Sequence, residues 1–450
     1  MATKPANLIY GLDDKPPWTI SFILGLQHVF TMSSTLVLPV VIARGIGGGI
    51  DVVQSMVCFS MIAAGLGTVL QALRRGPIGS GYICPNLCGP SYLSVSVQAA
   101  WLGGLPLMHG MTIIAGMFEM GFSRVVHKLK FLFPPEITGL VVLMVAVALI
   151  PLGSSKFVGV NYAGDAINLK ELPIAIITLF SMIGFNIWGK GKLKLYCVLI
   201  GMGIGYLLSI ATYVVSQKDF AVFLDAPWFS LPGKGIKMLH YQFDWGLVLP
   251  FMIVSLCQCL KSFGNLITCQ KINDEKWSGP DMKNIGKGLL ASGLSVTMSG
   301  LFGGMATDTS ASNVGLSAAT SATSRIIGIY AGFIFVGLGF LPKLTAIFSV
   351  MPEPIMGAMV IFVTCFMIVQ GIQILLSTNM NTRKTFVIGI SFVFGLSAII
   401  LPDLYSHLPS WLSPIFASSL TLSTVLAIIL NQIFSIGQGN THNKPTNANS

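Results

Sequence analysis

The chain has 450 residues, of which 53% are hydrophobic and only 9% are charged. Soluble domains are about 25% charged, so this composition excludes an ordinary water-soluble globule and points to a polytopic membrane protein. The net charge of +10 comes largely from clusters in short loops, at Arg74-Arg75, Arg124 to Lys130, Lys190 to Lys194, Lys271 to Lys287 and Arg383-Lys384. That pattern orients membrane helices with those loops in the cytoplasm and does not call for nucleic acid.

The opening stretch MATKPANLIYGLDDKPPWT is polar, short of basic residues and unlike a cleavable signal, so the first span is expected to serve as its own insertion signal. Apolar stretches of roughly spanning length then follow at 18–43, 50–73, 82–100, 105–126, 135–153, 171–188, 194–216, 244–268, 285–303, 306–323, 325–345, 352–375, 384–401 and 411–434. That makes fourteen spans, which puts both termini and the basic loops in the cytoplasm. The tail GQGNTHNKPTNANS is polar and expected to be disordered. The eight cysteines lie mostly in apolar stretches without the spacing or histidines of a zinc site, so no metal and no cofactor is expected.

Two spans are poor helices. In 76–98 (GPIGSGYICPNLCGPSYLSVSVQ) the glycines with Pro77, Pro85 and Pro90 break the first half, and a helix reads only from Ser91. In 303–325 (GGMATDTSASNVGLSAATSATSR) a helix reads only from about Asn313. They are the third spans of the first and second sets of seven. Broken backbone at membrane depth must be covered by protein or line a cavity. Interrupted spans at matching places in two halves point to a transporter site between inverted repeats, where half-helix N-termini offer N–H groups to a polar or anionic ligand. A channel loop or simple packing breaks are the competing readings. No catalytic constellation argues for an enzyme.

Several motifs, in order along nearly the whole chain, carry a family resemblance: GLQH at 25–28, GSGYICPNLCGPSY at 79–92, FPPEITG at 133–139, APWFSLP at 226–232, SNVGLSAATSATSR at 312–325 and LTLSTVLAIILN at 420–431. The chain resembles the nucleobase–ascorbate transporter family, which includes uracil, xanthine and urate permeases. The resemblance implies an all-α fold of two inverted seven-span repeats, with short strands in spans 3 and 10. It implies a core domain (18–130 and 241–345) holding substrate and a gate domain (131–240 and 346–435). Residues 1–17 would be a cytoplasmic N-terminus and 436–450 the disordered cytoplasmic tail. It further implies elevator-type transport of a nucleobase across the inner or plasma membrane, coupled to a proton or sodium ion, in a homodimer. Among site residues it implies Gln27 and His28 orienting the site, Tyr92 beside the base, and a signature at Asn313, Gly315, Thr320 and Arg325.

The sequence also departs from that pattern. Relatives usually carry a glutamate in span 8, three residues before a glycine; here that place, set by Gly264 and Asn265, holds Lys261. Ser312 stands where the signature often has Glu or Gln, and Ser292 where span 9 commonly has Asp. A cation in a spanning segment costs about 3 kcal/mol or more. Gln258, Lys261 and Asn265 are three and then four residues apart, so they share one helix face. An ammonium only donates hydrogen bonds, so one reading puts Lys261 on a carbonyl-rich or anionic base such as xanthine or urate. The other pairs it with Asp308; both can hold if substrate competes for the pair. His28, Asp308, Lys261 and Glu119 are the candidates for coupling or ion pairing. Glu119 reads equally as a proton relay or as a partner of Arg124, and Glu136 as a charge on a helix N-terminus. The rival cargo is an inorganic or small organic anion moved by a transporter of the same fold, with Lys261 in the anion site.

Overall fold

The computed structural model describes every residue except 1–3, 7, 34, 75, 130–133, 161–168, 190–192, 194–196, 215–223, 225, 230–238, 278–279, 344–345, 347–350, 377–378, 406–415, 417–418 and 436–450. The expected disordered tail, much of the basic cluster at 190–194, the end of the 226–232 motif and the first residues of span 14 lie outside the described residues.

Each of the fourteen apolar stretches carries helix. The elements are α1 (Trp18–Ser33), α2 (Val37–Gly45), α3 (Ile50–Ala72), β1 (Asn86–Cys88), a 3-10 turn (Pro90–Tyr92), α4 (Leu93–Leu129), α5 (Pro135–Val158), α6 (Leu172–Ile187) and α7 (Cys197–Ala211). The second half runs α8 (Trp245–Asn273), α9 (Met282–Phe302), β2 (Thr307–Thr309), α10 (Ala311–Ala319), α11 (Arg325–Gly339), α12 (Glu353–Leu375), α13 (Thr382–Ile400) and α14 (Ser419–Ile433). Seven of the described helical segments are long and apolar enough to cross a membrane.

Two departures from simple spans have local causes. The first span divides into α1 and α2. Ser33 Oγ donates to the Val29 carbonyl at 2.9 Å and Thr35 Oγ1 to that of Met32 at 3.0 Å, and such hydroxyls compete with the helical ladder. The long α4 contains Gly103 (φ −142°) and Gly104 (φ 70°, ψ −170°), so it is two helices joined by a sharp turn, as the stretches 82–100 and 105–126 anticipate. Only glycine takes the Gly104 conformation readily, and Pro106 then suits the first turn of the next helix.

The two broken spans meet each other. Strands β1 and β2 pair antiparallel, with Asn86 opposite Thr309, Leu87 opposite Asp308 and Cys88 opposite Thr307. The pairing continues through Gly89 N to Ala306 O (2.8 Å) and Ser310 N to Pro85 O (2.9 Å). All six strand residues are buried. Backbone groups stripped of helix at membrane depth need such partners. Ser310 caps α10 by accepting from Asn313 N, as N-cap serines do.

The helices pack in two groups. In one, α4 lies on α9 and α8, and α3 and α1 lie on α11; in the other, α5 lies on α12, α6 on α7 and α13 on α14. The groups meet where α8 touches α5 and α14, where α2 touches α12, and where α4 and the turn before it touch α5. Ion pairs tie the second group: Lys156 to Glu353 at 2.7 Å, and Lys384 to Glu136 at 3.5 Å. Glu136 thus starts α5 as expected, but it is buried and has a cation from α13.

The N-terminal segment is docked. Ile9 N and Tyr10 N donate to Ser321 O, Thr323 N donates to Tyr10 O, and Arg325 N to Leu12 O. Asp13 reaches Arg325 at 3.2 Å, and Ser324 Oγ donates to Asp14 O at 2.6 Å. Polar composition alone gave no signal for this strap, because backbone groups make most of its bonds.

Gly89 offers a test of the strand junction. A Cβ there would lie 2.9 Å from Asp308 Cβ and 3.0 Å from Ala306 O, whereas nothing stands within 4 Å of one at Gly121. Gly89→Val is expected to cost about 2–3 kcal/mol through overpacking, read as a lowered thermal unfolding midpoint in detergent, while Gly121→Ala leaves the midpoint unlowered.

Candidate functional site

Residues from α1, the turn before α4, α8, β2 and α10 converge at the strand junction. Lys261 Nζ is 2.7 Å from Asp308 Oδ2, with side-chain exposures of 14% and 0%. The pair expected from sequence is therefore present. Ser91 Oγ donates to the same Asp308 oxygen at 2.8 Å, while Asp308 Oδ1 is buried with no protein partner. One carboxylate is thus held by both broken spans and by α8, and its second oxygen is left over.

Below this pair runs a ladder of small polar groups. Gln258 Nε2 donates to Ser262 Oγ at 3.0 Å, and Ser262 Oγ lies 2.8 Å from Thr309 Oγ1. Asn265 Nδ2 donates to Thr309 Oγ1 at 2.9 Å. The anticipated face of α8 is real: Lys261 and Asn265 bond to the β2 strand directly, and Gln258 reaches it through Ser262. Gln258 Oε1 and Gln27 Oε1 are buried without partners, so the site holds acceptors the protein does not use.

His28 is fixed by the signature asparagine. Asn313 Nδ2 donates to Ser310 Oγ at 2.8 Å, so its Oδ1 accepts from His28 Nδ1 at 2.7 Å. That assigns a proton to His28 Nδ1. Both side chains are buried, at 2% and 0% exposure. Ser312 and Gly315 lie on the exposed side of α10.

Other expected residues lie further out. Tyr92 is wholly buried, and its hydroxyl contacts Glu119 Oε1 at 2.5 Å and Ser255 Oγ at 3.1 Å. Glu119 is likewise wholly buried and partners Tyr92. Thr320 Oγ1 donates to the Leu316 carbonyl at 2.9 Å at the end of α10, and Arg325 holds the N-terminal strap through Asp13. The latter two support the signature turn and do not line the site. Sequence reading missed Ser91, Ser255, Ser262 and Thr309. Their signal was weak: Ser255 and Ser262 stand three residues before and four after Gln258 on the same helix face. Among the described residues no group of His, Cys, Asp and Glu could hold a metal ion.

Comparison with known proteins places this architecture. A sequence profile described as "Permease family" matches residues 19–404. The chain belongs to the nucleobase–ascorbate transporter family of permeases. Within it, the chain is similar to the uric acid permease PucJ of Bacillus subtilis, at 28% identity over 92% of each chain. It is also similar to the xanthine permease XanP of Escherichia coli (strain K12), at 26% identity over 96% of each. A Clostridium perfringens protein bearing a purine-permease name is 30% identical over 95% of this chain and 93% of its own. Among solved structures, the transmembrane domain of the cyanobacterial bicarbonate transporter BicA superposes with TM-score 0.58, at 11% identity over 93% of this chain and 99% of that one. The murine anion transporter Slc26a9, in its inward-facing state, gives 0.61 at 10% identity over 95% and 70%. At that identity the likeness is one of fold. The protein is a multi-pass integral membrane permease, in a family that is not an enzyme class.

The Lys261–Asp308 pair makes a measurable stability prediction. Lys261→Met leaves a buried carboxylate uncompensated, and Asp308→Asn leaves the ammonium so; each is expected to cost about 3–5 kcal/mol. The double variant is expected to cost about 1–3 kcal/mol less than the sum, measured by denaturant unfolding of the purified protein.

Proposed function

We propose that the protein carries a nucleobase, most specifically an oxo-purine such as xanthine or urate, across the plasma or inner membrane by proton-coupled alternating access. One observation carries the substrate class: Lys261 is bound to Asp308 through Oδ2, while Asp308 Oδ1 and the Oε1 of Gln258, on the same face of α8 as Lys261, are buried acceptors without protein partners. An ammonium has three donors, and Asp308 accounts for one in this arrangement. The site therefore offers donors for ring carbonyls and acceptors for ring N–H groups within one turn of α8. A purine dione or trione presents both kinds of group on its edges. Adenine has no ring carbonyl to give the ammonium. The names of the relatives, uric acid and xanthine permeases among them, support the same cargo.

In this reading substrate shares Lys261 with Asp308, and Gln27, His28, Gln258, Asn265, Ser312 and Asn313 set the rest of the site. The core would be residues 18–130 and 241–345, which carry the strand junction. The gate would be 131–240 and 346–435, and the core would slide against it as an elevator. The two packing groups and their limited seam support that division. The anion transporters share the fold at 10–11% identity, which gives no ground for an inorganic cargo here.

The test is ligand-dependent thermal stabilisation of the purified permease. Xanthine or urate is expected to raise the unfolding midpoint, adenine, sulfate and bicarbonate are not, and Lys261→Met is expected to lose the response. Equal stabilisation of wild type and Lys261→Met would remove Lys261 from the substrate site. A response to sulfate or bicarbonate alone would replace the nucleobase reading with an anion one.

A further inference from the structure

We propose that Glu119 holds the coupled proton, and that Tyr92 reports its protonation to the substrate helix; this rests on reading the protein as a proton-coupled transporter. Ser255 has one hydroxyl hydrogen, and it is committed to the Phe251 carbonyl at 2.8 Å. Tyr92 also has one, but its oxygen has two contacts, Ser255 Oγ at 3.1 Å and Glu119 Oε1 at 2.5 Å. Ser255 has no hydrogen to give back. If Tyr92 donates to Ser255, the contact with Glu119 needs a hydrogen from the carboxyl itself, so Glu119 is neutral. If Glu119 is ionised, Tyr92 donates to it and Ser255 loses a bond. The network thus has two states, set by one proton on Glu119.

The surroundings favour the neutral state at rest. Glu119 is wholly buried, and the neutral group that faces it from α9 is the hydroxyl of Ser292, also wholly buried. The titratable groups that face it are Tyr92 from the broken span, Cys259 from α8 and Asp308 from β2. The α9 backbone packs against it at Gly293 and brings no charge. Lys261 is bound to Asp308. A buried carboxylate with no cation of its own is costly.

Adjacent residues link this proton to the substrate. Ser91 holds Asp308 and Tyr92 holds Glu119. Ser255 lies one turn before Gln258 on α8. A purine that shares Lys261 leaves Asp308 less neutralised, and that negative charge favours a proton on Glu119. By reciprocity a protonated Glu119 favours the purine, which is the linkage a symporter needs. The step moves one proton and no electrons: a carboxylate oxygen of Glu119 takes H+ from water on one side and returns it to water on the other.

Two readouts test this in the full-length protein. In lipid vesicles, the infrared spectrum is expected to contain the C=O stretch of a buried protonated carboxyl. The band disappears in Glu119→Gln and shifts in Tyr92→Phe, which keeps the carboxyl but removes its hydroxyl contact. In proteoliposomes, an inward proton gradient is expected to raise xanthine or urate uptake by wild type, and to give Glu119→Gln no increase over equal pH on both sides. A band unchanged in Glu119→Gln, or gradient-driven uptake retained in it, overturns the proposal. If Glu119→Gln does not fold, a band unshifted in Tyr92→Phe overturns it. A wild type that exchanges base but ignores the gradient overturns the proposal and leaves transport standing. Vesicles that take up no base at all overturn the transport reading itself.

Discussion

A buried ammonium needs a buried anion, and much of this structure is arranged around that requirement. Lys261 sits in a helix that is otherwise apolar enough to cross a membrane, and Asp308 meets it at 2.7 Å. Asp308 can do so only because its own span is not a helix there. It lies in a three-residue strand, and that strand needs a partner for its backbone. The partner is the strand of the other broken span, where Leu87 lies opposite Asp308. The ion pair, the strand pairing and the two half-helices are therefore one construction. Gly89 is tied into it as well, because Asp308 Cβ occupies the space a larger residue would need.

The same construction explains how a lysine can replace a carboxylate without emptying the site. The family resemblance puts an acid at this place on the eighth span. Here the acid is still present nearby, on the strand, and the cation neutralises it. The oxygen of Asp308 that Lys261 does not use, and that of Gln258, remain available. What changes is the balance of donors and acceptors facing a ligand, since an ammonium supplies only donors. The second acid, Glu119, stands behind the first, with Tyr92 and Ser91 adjacent in sequence and each holding one of the two carboxyl groups.

Much of this was legible in the sequence, for physical reasons. Prolines and glycines at 76–90 and small polar residues at 303–312 mark backbone that cannot stay helical. The spacing of Gln258, Lys261 and Asn265 fixes their common face. The candidate partner Asp308 followed from charge and topology together, because a cation in a spanning segment needs an acid and the expected span order puts Asp308 nearest. Other features depended on tertiary contacts that no local pattern encodes. The contact of the Tyr92 hydroxyl with Glu119 is one of these. Arg325 reads as part of a signature, and its tie to the N-terminal strap through Asp13 is one such contact. The helix break after Ser33 follows from competing hydroxyls, visible in TMSST only once the break is known.

The measurement that bears most directly on this account is a structure of the permease in lipid nanodiscs with xanthine or urate bound, read as the distance from Lys261 Nζ to the ligand. The account predicts a purine oxygen within about 3 Å of Nζ, with Asp308 still held by Ser91. A purine bound elsewhere, with Lys261 still engaged by Asp308 alone, would contradict it.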